Sequence, residues 1–111
     1  MSVPKSFQLI NRRWKVKLVS TQQLQEVIAK TGENWDPETT IKGLSDFQAA
    51  VIYINTDEAK SEDDVQHTYW HEVSHALLYA MGHLDHDEVA VDLQGALLAQ
   101  YFQTVRGEQD C

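Results

Sequence analysis

The stretch His71-Glu72-Val73-Ser74-His75 places two imidazoles four residues apart, with a carboxylate beside the first. On an α-helix, residues four apart stand one turn above another on the same face, so both rings can direct a nitrogen at one point. Glu72 lies about 100° further round the helix, close enough to reach a water held at that point without occupying it. Imidazole nitrogens suit zinc, and zinc lowers the pKa of a coordinated water towards about 7, where a carboxylate can take its proton. A turn and a half of helix thus offers two metal ligands and a general base, which is the physical content of the His-Glu-x-x-His spacing.

A catalytic zinc site uses three protein ligands and keeps one position open. The third must follow Gly82, where His83, Asp85, His86, Asp87, Glu88 and Asp92 all have suitable chemistry. Glu88 and Asp92 are four apart on the next expected helix and share a face. If Glu88 binds the metal, Asp92 can accept a hydrogen bond from the outer nitrogen of His71 or His75 and fix its tautomer. His86 lies about 200° from Glu88 on a helical wheel, so only one of the two faces the site from regular helix. The paired acids favour Glu88; His86, supported by Asp85 or Asp87, is the rival. His67, one turn before His71, stands at the rim, where a solvated histidine is the simple reading and polarising a carbonyl the alternative. His83 reads as a loop residue.

The elements that must position these groups can be traced from the periodicities. Phe7 to Ile10 and Trp14 to Val19 flank a short polar connection, and Trp14, Val16 and Leu18 alternate with Lys15 and Lys17, so a β-hairpin is expected. Ser20-Thr21 offers a cap for a short helix with Leu24, Val27 and Ile28 inward and Gly32 as its stop. Residues 33–40 read as a loop. Thr40 to Leu44 and Ala49 to Asn55 read as two more strands joined through Ser45-Asp46. Ser61, with Glu62, Asp63 and Asp64, starts the motif helix, expected from about Glu62 to Met81 with Val65, Tyr69, Val73, Ala76, Leu77 and Ala80 inward and Gly82 ending it. A last helix is expected from about Asp87 to Thr104, burying Val91, Ala96, Leu98 and Phe102. Tyr53, Tyr69, Tyr79 and Tyr101 read as core, and Trp14, Trp35 and Trp70 as core or lid packing. The whole, residues 1–111, is one α+β domain: a small, mostly antiparallel sheet packed on the motif helix and flanked by two other helices.

Composition limits the function. Hydrophobic residues at 42% and charged residues at 23% suit a globular domain, and no apolar run is long enough to span a membrane. Cys111 is the only cysteine, which rules out an internal disulfide and a multi-thiolate metal centre. The N-terminal residues lack the apolar core of a signal peptide, so a cytosolic location is expected. Residues 1–42 hold seven basic and four acidic residues, a balance of +3, while residues 43–111 hold two and thirteen, a balance of −11. An acidic half carrying the motif argues against nucleic acid as partner. Arg12, Arg13, Lys15 and Lys17 read as a solvated strand face.

"HEVSH" followed by "EVAVD" resembles the gluzincin branch of the zincin metallopeptidases, the motif part covering about residues 48–104. The short length, with a sheet leading into the motif helix, is similar to minimal phage-encoded zincins and ImmA/IrrE-type peptidase domains. The metzincin pattern is absent, since the chain has Leu78 and Met81 where that pattern has glycine and histidine. The resemblance implies His71, His75 and Glu88 as zinc ligands, Glu72 as general base and Asp92 as the acid behind a ligand. It also implies a peptide or protein substrate, held in extended form along strand Ala49–Asn55 at the cleft. A zinc hydrolase acting on another bond, and a non-enzymatic binding or regulatory protein that keeps the zincin shape, are the alternative expectations.

Overall fold

The computed structural model describes residues 3–10, 12–30, 40–82 and 87–109, excluding the side chains of 106–109. Its elements run β1 (Ser6–Leu9), β2 (Arg12–Val19), α1 (Thr21–Lys30), β3 (Gly43–Asp46), β4 (Val51–Asn55), α2 (Glu62–Ala80) and α3 (Glu88–Gln109). The architecture is α+β, as the periodicities imply. Gly32 and residues 33–39 of the loop expected at 33–40, Trp35 among them, lie outside the described residues, as do His83, Asp85, His86 and Cys111.

The four strands form one sheet in the order β1-β2-β4-β3. The β1–β2 and β3–β4 pairings are antiparallel and β2–β4 is parallel. β4, an unbroken apolar run ending in Asn55, is buried at every position because it lies between two strands and under helices on both faces. On one face Trp14, Ile52 and Ile54 pack against Val65, Tyr69, Val73 and Ala76 of α2. On the other, Val19, Val51 and Tyr53 pack against Leu24 and Ile28 of α1.

Three expectations about the elements need correction. Ser45 and Asp46 belong to β3 and do not form the connection; the turn is 47–50, where Asp46 Oδ1 accepts from the backbone N–H of Gln48 and of Ala49, both at 3.1 Å. The cleft is not bordered by β4, whose two edges are occupied by β2 and β3; the strand beside the motif helix with an outer edge is β3. α3 runs to Gln109, and its buried line is Val91, Gly95 and Ala99. Of the expected set Val91 is buried, Ala96 and Leu98 are half-buried, and Phe102 and Tyr101 are exposed.

α2 begins and ends as its sequence dictates. Ser61 Oγ accepts from the Asp64 N–H at 3.2 Å, and Asp64 Oδ2 accepts from the Lys60 N–H at 3.1 Å, so two N-terminal donors are satisfied. That backbone hydrogen bond, with Lys42 at 3.6 Å, holds the Asp64 carboxyl below its ordinary pKa. Gly82 takes φ +87°, and its N–H bonds to Tyr79 O, closing the helix. No helix among the described residues is long and apolar enough to cross a membrane.

Candidate metal centre

α2 and α3 build the site together. His71 and His75 project from one face of α2, their ring centroids 5.1 Å apart. α3 lies against α2 so closely that a Cβ added at Gly95 would stand 2.8 Å from both His71 Cα and His71 N. That approach carries the first turn of α3 to the histidines: Glu88 Oε1 is 3.1 Å from His75 Nε2, and Glu88 Oε2 is 3.3 Å from His71 Nε2. One turn on, Asp92 Oδ1 lies 3.2 Å from His71 Nδ1 and 3.0 Å from His67 Nε2.

His71 therefore stands between two carboxylates. A neutral imidazole carries one ring proton. Donated from Nδ1 to Asp92, it leaves the Nε2 lone pair facing Glu88, an unfavourable meeting unless a cation or a second proton sits between them. Two atoms each about 2.0–2.1 Å from a zinc ion, at the tetrahedral angle, stand about 3.3 Å apart. The two His–Glu88 separations are close to that value, and two imidazoles with a carboxylate are donor types that suit zinc. Proximity alone groups His71, Glu72 and His75, whose donor atoms lie within 4.8 Å of one another. Glu88 meets both rings at 3.1 and 3.3 Å, and Glu72 is also held by Ser45.

Glu72 reaches β3 while a carboxylate oxygen stays within 4.8 Å of the histidine donor atoms. It is 5% exposed, and Ser45 donates its hydroxyl to Glu72 Oε1 at 2.9 Å. β3 can come this near because Gly43 has no side chain: a Cβ there would lie 2.8 Å from Thr68 Cγ2 and 3.1 Å from Glu72 Cγ. Burial pushes the Glu72 carboxyl up to about 7; the Ser45 hydrogen bond and the charge of His71 work against that rise, and Glu88 adds to it. Asp92 behaves oppositely. The hydrogen bond from His67, then the one from His71, holds its carboxyl below the ordinary carboxylate range.

Two adjoining cavities share Gly43, His71 and Glu72. One, of about 390 Å³, extends past Ser45, Phe47, His75 and Glu88, and the other, of about 370 Å³, past Thr40, Lys42, His67 and Asp92. Together they make a cleft between β3 and the α2–α3 pair.

The structure brings together His71, Glu72, His75, Glu88 and Asp92. Asp87 is placed elsewhere: its Oδ1 accepts from the N–H groups of Val89 at 3.0 Å and Ala90 at 3.4 Å, capping α3. His83, Asp85 and His86 are outside the described residues. Sequence reasoning missed Ser45, Gly43 and Gly95, whose roles depend on contacts between elements, and the bond of His67 to Asp92. The small residue at position 95, in line with Val91 and Ala99, was the one available signal of a close helix crossing. Comparison of the chain with protein families, with curated proteins and with solved structures gives no match.

Proposed function

We propose that this chain is a small cytosolic zinc metallopeptidase in which His71, His75 and Glu88 hold the ion, Glu72 is the general base and Asp92 fixes the His71 ring. The observation that carries the reading is the meeting of two imidazole Nε2 atoms with one carboxylate at 3.1 and 3.3 Å, beside a buried second carboxylate. Zinc, when bound, supplies the positive charge that acidifies water and polarises a carbonyl.

The remaining work belongs to the chain's own residues. Glu72, its Oε1 held by Ser45, takes a proton from the attacking water and passes it to the leaving amine. Its raised pKa in the metal-free protein reflects burial, where a neighbouring cation acts strongly on a carboxylate. Asp92 accepts the Nδ1 proton of His71 and keeps Nε2 available on the other side. β3, the sheet edge beside the cleft, offers backbone groups to an extended peptide.

Metal analysis of protein purified without chelator, together with a peptide-library digest, tests the proposal. One zinc per chain and cleavage are expected, with both lost in a His71→Ala/His75→Ala variant. Glu72→Gln keeps zinc and loses about 10²–10⁴ in rate. Full zinc occupancy in the double variant overturns the site. Stoichiometric zinc without cleavage of any peptide transfers the site to a different bond or to a binding role.

A further inference from the structure

The outer face of α3 is the largest feature that the site leaves unexplained. Val91, Gly95 and Ala99 face α2 and are buried, as expected of a helix packed on one side. The opposite side is also apolar. Val89, Leu93, Leu97 and Tyr101 recur every four residues and are 79%, 60%, 56% and 61% exposed. Leu93 to Val105 contains no Asp, Glu, Lys or Arg. An apolar stripe on a helix calls for cover, and α3 has one covered stripe and one bare one.

We propose that the bare face of α3 is a homodimer interface, two copies of the chain pairing their Val89–Leu93–Leu97–Tyr101 ridges across a two-fold axis. Two quantities select a second copy. The first is area. An aromatic side chain presents roughly 150–250 Å² and an aliphatic one somewhat less, so the ridge at these exposures offers on the order of 450 Å², and flanking Ala90, Gln100 and Thr104 raise it to about 600 Å². Two copies then bury at most about 1,200 Å², at the lower bound for a specific interface and above the ~800 Å² of incidental contacts. The second is charge. The chain carries −8, so most surfaces of two copies repel. Glu88 and Asp92 lie off the ridge on the side turned to the histidines, and neutral Gln100 and Thr104 border it, which suits the charge-depleted centre of an interface. A ridge with a four-residue repeat also interdigitates with its own copy. A membrane suits the face poorly, because an interfacial helix draws on Lys and Arg beside its apolar stripe and this stretch has none. Glu88 and Asp92 lie on the side of α3 turned to the histidines, so the dimer leaves the cleft open.

Sedimentation velocity on the full chain tests this. Area alone does not set affinity, so a concentration series is run, and dimer is expected to dominate at about 100 µM, in the range of a weak specific interface. Leu93→Glu/Leu97→Glu is expected to stay monomeric there with an unchanged circular dichroism spectrum. Tyr101→Lys, a single change further along the ridge, is expected to weaken association at least ten-fold and keeps the test decisive if the double variant does not fold. Wild-type protein that is monomeric at about 100 µM overturns the proposal, whether or not it floats with lipid vesicles. So does an assembly larger than a dimer, or a dimer insensitive to these substitutions.

Discussion

Replacing Glu72 with Gln should stabilise the metal-free protein, by an amount set by pH. Its carboxyl is buried, and its pKa rises from 4.5 to about 7 in the folded chain. Below pH 4.5 both folded and unfolded states hold the proton, and burial costs no charge. As pH rises towards 7 the unfolded chain loses the proton first, so wild-type stability falls through this window and is lowest above it. Each pKa unit corresponds to about 1.4 kcal/mol, giving about 3 kcal/mol at pH 8 and under about 1 kcal/mol at pH 5. At 5% exposure the group has little solvent screening to reduce that figure. Glutamine keeps the shape, can still accept from Ser45 and never ionises. Urea unfolding in excess chelator at the two pH values measures the difference, since other titrating groups are common to both proteins and cancel. With a slope of about 1–2 kcal/mol per molar urea, the midpoint of Glu72→Gln should lie about 1.5–3 M above wild type at pH 8. Equal midpoints at pH 8 would refute the reasoning, and an equal gap at both pH values would assign the effect to packing. Saturating zinc should shrink the gap, because a cation beside the carboxylate compensates its charge.

Three further outcomes follow from particular contacts. Glu88→Ala should remove most zinc affinity, and Asp92→Ala should weaken it about 10–100-fold while leaving one-to-one stoichiometry, both read by competition with a chelating dye. Gly95→Ala would gain up to about 1 kcal/mol from helix propensity alone, but its Cβ meets the His71 backbone at 2.8 Å; thermal unfolding should show a net loss of about 1–3 kcal/mol, with weaker zinc binding as α3 moves off α2. Ser45→Ala should leave zinc binding within about two-fold and lower kcat more than it raises KM, since it frees the base and touches none of the three ligands.

The parts of this protein that are local in the chain were legible in its sequence. Ser61 as cap, Gly82 as stop and the four-residue spacing of His71 and His75 follow from the geometry of one helix, and so does the shared face of Glu88 and Asp92. The β1–β2 hairpin and the buried β4 run were also legible from strand periodicity and apolar length, although Leu18, expected inward with Trp14, is exposed and Val19 is buried instead. Tertiary structure decided how these pieces meet. Which strand borders the cleft depends on strand order: β4 and β3 are both plausible in one dimension, and only pairing shows that β4 has no edge to offer. Ser45 lies 27 residues from the carboxylate it holds, and Gly95 matters only because α2 passes within a Cβ's reach. The outward face of α3 was hidden for the same reason. Apolar residues on every side of a helix do not reveal which of them the fold covers, since the hydrophobic effect rewards burial without specifying a partner.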